Sequence, residues 1–174
     1  SKVQISKSAT RNTLHAPLPF SMPTPSILLK PNREKSLLRR HPWVFSGAIA
    51  EIQGKPGIGA TVAIRKTSGD FLAWAAYSPH SQIAARVWSF DESETIGPDF
   101  FRQRIQTALA SPQRNTLHAT RLVHAESDGL PGFVLDRYGN TLVTQILAAG
   151  AEHWRETLAH WMSLAAIGIQ QRLT

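Results

Sequence analysis

A short basic segment carries the residues with the clearest chemical purpose. From Lys30 to Phe45 the sequence reads KPNREKSLLRRHPWVF, with five lysines and arginines, one histidine and two aromatic residues. Lysine and arginine neutralise phosphates and displace counterions, and arginine also stacks on bases. We therefore predict phosphate contacts along this segment, joined by one arginine from a later strand. The predicted RNA-binding residues are Lys30, Arg33, Lys35, Arg39, Arg40, His41 and Arg86.

The aromatic residues near this segment have two interpretations. Trp43 would add base stacking to the phosphate contacts if it faces the ligand. The alternative places Trp43 and Phe45 in the core of a β-barrel. Trp74, Tyr77 and Trp88 lie on predicted strands, where we expect them to belong to the core rather than to a recognition surface.

The sequence lacks the residues from which an active site is usually built. It contains no cysteine, which excludes disulfides, thiolate nucleophiles and cysteine-ligated metals within it. Seven histidines are scattered, and no two form a His-x-x-x-His pair. Glu126 and Asp128 lie close together, but the following glycine favours a turn over a catalytic carboxylate pair. Because no glycine-rich phosphate loop is present either, we predict no catalytic, cofactor-binding or metal-binding residue.

The positive charge is concentrated at one end of the sequence. The first 50 residues contain eight lysines and arginines and one acid, so they carry the whole net charge of +7. Such a patch attracts a polyanion, either nucleic acid or an anionic membrane surface. No amphipathic helix rich in leucine, phenylalanine or tryptophan accompanies it, which favours nucleic acid. The absence of cysteine fits a reducing compartment, and we expect a cytoplasmic protein.

The basic segment is predicted to sit on a small β-rich domain. Residues 1–26 are expected to form a flexible basic arm, because four prolines prevent a continuous helix; an organelle presequence is the alternative. From residue 27 to 92, short strands alternate with glycine and proline turns, which is typical of a compact barrel. A helical turn is predicted over Arg33–Arg40, capped by Asn32 and buried through Leu37 and Leu38.

The second half is predicted to be a smaller unit behind a connecting helix. Apolar spacing predicts a helix over Asp99–Ala110, within a linker spanning residues 93–112. Residues 113–174 then read strand, strand, strand, helix and strand, with the helix over Glu152–Leu164 and capped by Gly168. The last strand, from Ile169, has no obvious partner, so this domain is expected to be truncated in its last strands. The overall fold class is therefore α+β.

Two groups of motifs resemble one protein family. The strings LLKPNREK, HPWVFSGAI and YSPHSQIAAR resemble an N-terminal PUA domain. The strings RLVHAESDGLPG and DRYG resemble the central β-rich domain that follows it in the same family. Together, residues 27–172 are similar to the 23S ribosomal RNA (cytosine-5)-methyltransferases that also carry a C-terminal Rossmann-like domain.

The resemblance carries expectations about fold and activity. It implies a PUA pseudobarrel that binds structured RNA, here ribosomal RNA, with S-adenosylmethionine as methyl donor and a cysteine nucleophile in the C-terminal domain. The chain is then the RNA-targeting part of an S-adenosylmethionine-dependent methyltransferase and does no chemistry itself. The alternative is a stand-alone RNA-binding adaptor with no catalytic partner. In a third hypothesis the barrel is a protein-interaction module with incidental cations.

Overall fold

Six short strands form the first sheet of the protein. A computed structural model describes residues 24–111, 114 and 119–170. The sheet runs in the order β2-β6-β5-β4-β1-β3, with β1 parallel to β4 and every other neighbouring pair antiparallel. Its strands are β1 (Ser26–Leu29), β2 (Trp43–Phe45), β3 (Ile49–Gln53), β4 (Thr61–Lys66), β5 (Phe71–Tyr77) and β6 (Ile83–Ser89).

The sheet curls into a half-barrel, and both faces of its central strands are buried. In β5, Ala75 faces the barrel core, whereas its neighbour Ala76 belongs to a second core on the outer face. In β6, Val87 and Trp88 divide in the same way. Burial on both faces explains why these strands are almost continuously apolar. The barrel core consists mainly of Ile27, Leu29, Leu37, Val44, Val62, Ile64, Leu72 and Val87.

The second unit packs against that outer face. Strands β7 (Ala119–His124), β8 (Phe133–Tyr138) and β9 (Thr141–Ile146) form an antiparallel sheet in that order. Helices α2 (Pro98–Leu109), α3 (Ala149–His153) and α4 (Arg155–Gln170) complete the unit. Its core joins Phe101, Ile105, Leu122, Val123, Phe133, Leu135 and Leu158 to Ala76 and Trp88 of the half-barrel.

These elements confirm the predicted fold class, an α+β chain with a half-barrel and a small second sheet. Helix α2 matches its predicted position to within one residue at each end and buries Phe100 and Phe101. Of the three aromatic residues expected in the core, Trp88 is buried, whereas Trp74 and Tyr77 are half-buried and pack against the two cores. No helix among the described residues is long and apolar enough to span a bilayer.

The helix in the basic segment is shorter than predicted. Helix α1 covers only Lys35–Leu38, and its N-cap residue is Glu34. The predicted cap, Asn32, instead adopts a left-handed conformation with φ of 64° in the preceding turn. Leu37 is buried as expected, but Leu38 is 63% exposed, because a single helical turn presents only one of two consecutive residues to the core.

The end of the chain also differs from the prediction. The helix predicted over Glu152–Leu164 is two helices, α3 and α4, separated at Trp154. Helix α4 continues through Gly168 to Gln170, so no strand begins at Ile169. A single glycine inside a helix costs only about 1 kcal/mol, which the flanking helix-forming residues offset. Residues 1–23 of the predicted arm (residues 1–26), residues 112–113, residues 115–118 and residues 171–174 lie outside the described residues.

Candidate nucleic-acid interface

The end of α1 sets the backbone conformation of Arg40. The backbone N–H of Arg40 donates to the carbonyl of Leu37 at 2.8 Å, and that of His41 donates to Ser36 at 3.0 Å. These two bonds form a Schellman motif, in which the residue after the C-cap adopts a left-handed conformation. That residue is Arg40, with φ of 62°. Glycine is the residue that fits this conformation without strain, so an arginine here is held at an energetic cost.

The basic segment exposes its charges without neutralising them. Among the described residues, none of its lysines and arginines has a carboxylate oxygen within 4.0 Å. By contrast, Arg65 pairs with Glu92 and Lys66 pairs with Asp70 elsewhere on the half-barrel. The exposed residues of the predicted site are Lys30, Arg33, Lys35, Arg39, Arg40 and His41. Six of the seven predicted residues are therefore exposed within residues 30–41, and we call these six the basic surface.

One carboxylate lies near the edge of the basic surface without neutralising it. The pKa of Asp91 is lowered mainly by hydrogen bonds from the Ser93 hydroxyl and backbone N–H, and Arg40 adds only a weak attraction. The guanidinium of Arg40 lies instead over the ring of Phe90, 4.9 Å from its centroid. This contact orients the arginine and leaves its N–H groups for a ligand.

A cleft of about 460 Å³, which we call the α1 cleft, opens between α1 and β2 beside the basic surface. Phe45 lines it and is 50% exposed, so the alternative interpretation that placed Phe45 in the barrel core is wrong. Phe45 lies outside the core because residues alternate sides along β2, where Val44 faces inward. Trp43 also lines the cleft, half-buried, with its ring 6.4 Å from that of Phe45. The cleft thus combines aromatic faces with cations, as single-stranded RNA sites do.

Two hydrogen bonds hold the rim of this cleft. The Lys30 ammonium donates to the carbonyl of Gly47 at 3.0 Å, which ties the start of the basic segment to the short 3₁₀ helix Ser46–Ala48. The Nδ1 atom of His41 accepts the backbone N–H of Trp43 at 3.3 Å. Because Nδ1 is used as an acceptor, Nε2 is the nitrogen left to contact a ligand.

Arg86 lies on a different element from the other six predicted residues. It is half-buried on β6, with its guanidinium 5.8 Å from the centroid of the Trp43 ring. It lines a different, smaller cleft, which shares no residue with the cleft beside α1. The six residues Lys30, Arg33, Lys35, Arg39, Arg40 and His41 are thus exposed along one segment, whereas Arg86 lines the smaller cleft.

The two acids that resemble a catalytic pair have structural partners. Glu126 accepts the indole N–H of Trp43 at 3.1 Å, which links the second unit to the rim of the α1 cleft. Asp128 accepts hydrogen bonds from both terminal nitrogens of Arg114, at 2.8 and 3.0 Å, and from the backbone N–H of His124 at 2.6 Å. The predicted turn is thus confirmed as the short 3₁₀ helix Ala125–Asp128. Sequence reasoning missed the Glu126 contact, which joins residues 83 positions apart.

The described residues offer no fit for the cofactor that the family resemblance implies. A nucleoside cofactor site in an α/β sheet needs a parallel strand followed by a glycine-rich turn and a helix. The described sheets contain one parallel pair, β1 and β4, and neither strand is followed by such a turn and helix. Among the described residues, no group of three or more histidine, aspartate or glutamate side chains is placed to hold a metal ion.

The half-barrel matches a known domain family. A family model described as a PUA-like domain matches residues 27–90, which include the whole first sheet apart from Ser26. The chain is 52% identical over 136 residues to ribosomal RNA large subunit methyltransferase I from Escherichia coli, and 53% identical over 133 residues to the protein of that name from Pseudoalteromonas translucida. These alignments cover 76% and 74% of this chain and 34% of each relative.

The chain is therefore homologous over about three quarters of its length to ribosomal RNA large subunit methyltransferase I, and it spans about a third of the length of these relatives. Solved structures show the same fold at low identity. A protein from Streptococcus mutans described as a SAM-dependent methyltransferase superposes with a TM-score of 0.63 at 16% identity, covering 79% of this chain and 36% of its own. A methyltransferase complexed with SAH gives a TM-score of 0.66 with the same identity and coverage.

Proposed function

We propose that this chain binds structured RNA, specifically ribosomal RNA, through the basic surface and the adjoining α1 cleft. The observation that carries the proposal is a set of five exposed lysines and arginines that have no carboxylate within 4.0 Å among the described residues, beside a cleft lined by Trp43 and Phe45. The cations supply affinity for phosphates, which is independent of base sequence. The cleft supplies a place for an unstacked base against an aromatic face.

The wider role we propose is targeting for an S-adenosylmethionine-dependent ribosomal RNA cytosine-5 methyltransferase. The name shared by the curated relatives supports methyl transfer to large-subunit RNA. The methyl donor site and a cysteine nucleophile would belong to a further domain, since this chain contains no cysteine and its described residues do not fit the cofactor. Because the ligand proposed is ribosomal RNA, the proposed place of action is the cytoplasm.

In such a reaction, this chain would hold the RNA substrate in a fixed position and orientation. Binding energy from parts of a substrate remote from the reacting atom can be used to orient that atom. Rigid attachment between the units serves this purpose. The indole N–H of Trp43, at the rim of the cleft, donates a hydrogen bond to Glu126 in the second unit. Trp88 of the half-barrel packs against Phe101, with 5.2 Å between the ring centroids.

The proposed division of the chain follows from the same role. Residues 27–92 form the RNA-binding domain, residues 93–112 the linker, and residues 113–174 the central β-rich domain, with residues 1–26 as a basic arm. These boundaries stay a prediction. Limited proteolysis tests them: cleavage is expected first within residues 1–26, before either sheet is cut.

The function is tested by measuring affinity for large-subunit ribosomal RNA transcribed in vitro. We expect tight binding at low salt and a steep loss of affinity as salt rises. A protein that binds this RNA no better than it binds a neutral polymer would contradict the proposal. The mass of the native protein in cell extract tests the wider role separately. A mass well above the 19.2 kDa of this chain is expected for a methyltransferase, and a native mass near 19.2 kDa would indicate a stand-alone adaptor.

A further inference from the structure

A second cleft, which shares no lining residue with the α1 cleft, has the composition of a phosphate site. It has a volume of about 220 Å³ and lies between the turn that follows β5 and the segment that follows β9. The polar side chains that line it are Ser78, His80, Ser81 and Arg86, and the apolar ones include Ile58 and Leu147. We call it the Arg86 cleft.

The guanidinium of Arg86 contains a hydrogen-bond donor that has no acceptor. Its Nη1 atom is buried and has no hydrogen-bond partner, and no carboxylate lies within 4.0 Å of the guanidinium among the described residues. Buried polar groups nearly always have a partner, and leaving a charged donor without one is costly. Because Arg86 also lines the cleft, a ligand there would meet a guanidinium that has no acidic partner among the described residues.

The other polar groups of the Arg86 cleft are suited to the same kind of ligand. The Ser81 hydroxyl already accepts the backbone N–H of Ile83 at 3.1 Å, so its own proton is directed to another acceptor. Ser78 adds a second hydroxyl and His80 an exposed imidazole. No aspartate or glutamate lines the cleft. Donors without an opposing carboxylate favour an oxyanion over a cation or a neutral ligand.

The size and the apolar wall narrow the choice of oxyanion. Sites for free small molecules usually measure roughly 300–1,000 Å³, so a cleft of about 220 Å³ is too small for a whole cofactor. Ile58 and Leu147 are 60% and 64% exposed, and they form an apolar surface next to the donors. One phosphate with its attached sugar combines a charged group with an apolar face and fits this arrangement.

We infer that the Arg86 cleft holds one phosphodiester of the RNA strand, with the sugar against Ile58 and Leu147. This inference rests on the proposed RNA binding and adds a second point of contact, outside the basic surface. Because the half-barrel contributes Ile58 and Arg86 and the second unit contributes Leu147, both units would touch the RNA at this cleft. A strand held at both clefts would be fixed in direction as well as in position.

The inference is tested with Arg86→Gln, measured for binding to large-subunit ribosomal RNA over a range of salt concentrations. We expect affinity to fall about tenfold or more, because a hydrogen bond to a charged group is lost. The slope of log affinity against log salt should become shallower by about one. Arg86→Lys keeps the charge and should keep most of the salt slope while losing part of the affinity.

Two further measurements keep the test decisive. Leu147→Ser changes an exposed residue and should weaken RNA binding without changing the melting temperature, which matters if Arg86→Gln fails to fold. Inorganic phosphate binding by wild type and Arg86→Gln distinguishes a site for the free ion from a site for RNA.

Unchanged RNA affinity in folded Arg86→Gln and in Leu147→Ser would overturn the inference, as would loss of inorganic phosphate binding with RNA binding intact. If wild type itself did not bind the RNA, the proposed function would fail instead.

Discussion

Removing three cations from the basic surface should halve the salt dependence of RNA binding. The variant Arg33→Ala, Lys35→Ala, Arg39→Ala removes exposed side chains that have no acidic partner within 4.0 Å among the described residues. None of the three belongs to either core, so the free energy of unfolding should change by less than about 0.5 kcal/mol per substitution.

The magnitude follows from the number of cations in the proposed contact. Counting one phosphate for each of six cations, log affinity should fall against log salt with a slope of about −4 to −5. Affinity of the wild type should then drop about a thousandfold between about 50 and about 200 mM salt. With three cations left, the slope should be about −2 to −3 and the drop about thirtyfold. The six counted are Lys30, Arg33, Lys35, Arg39, Arg40 and Arg86.

The assay is fluorescence anisotropy of labelled large-subunit RNA at several salt concentrations. A matched control is Arg65→Ala, Lys66→Ala, Arg155→Ala, which lowers the net charge by the same amount. Each of these three already pairs with an acid, at 3.3, 3.2 and 2.6 Å. The control should keep the wild-type slope. Equal slopes in the two triple variants would refute the reasoning, because binding would then depend on net charge and not on the basic surface.

Three other substitutions test separate parts of the structure. Arg40→Gly should leave the free energy of unfolding nearly unchanged. Relief of about 1–2 kcal/mol of left-handed strain offsets two losses, the contact with the Phe90 ring and the greater conformational freedom that glycine gives the unfolded chain. The slope of log affinity for RNA against log salt should become shallower by about one. Gly150→Ala should destabilise the protein by about 1–3 kcal/mol in urea, since a Cβ there would lie 2.7 Å from Cζ2 of Trp88; unchanged stability would contradict the close packing between the units. A hydrogen bond from Arg121 lowers the pKa of Asp136, so this pair stabilises the fold above about pH 4, and the stabilisation is lost as pH falls through the lowered pKa. Asp136→Asn should therefore make the free energy of unfolding, measured from denaturation curves, depend less on pH in this acid range. A pH profile identical to that of the wild type would contradict this prediction.

The sequence predicted a strand or helix well where the residues of that element themselves carry its pattern. The apolar residues of β1 and α2 define those elements through their own spacing, and proline at the start of α2 marks its beginning. The basic surface was predictable for a similar reason. Its members lie within twelve consecutive residues, and lysine and arginine at such density are rarely buried.

Contacts between distant residues could not be predicted from the sequence. Nothing in the neighbourhood of Trp43 indicates that its indole bonds to Glu126, because that contact depends on how the two units pack. That Arg86 lines a cleft other than the α1 cleft has the same cause, since this cleft forms where the half-barrel meets the second unit. The left-handed conformation of Arg40 was also missed, because glycine is the usual signal for it.

The most direct test of RNA binding at the basic surface is ultraviolet cross-linking of the protein to large-subunit ribosomal RNA, followed by mass spectrometry of the linked peptides. RNA bound at the α1 cleft should cross-link to peptides between residues 30 and 45, with Trp43 and Phe45 as the reactive side chains. Cross-links confined to β7, β8, β9 and α4, with none between residues 30 and 45, would contradict the proposed interface.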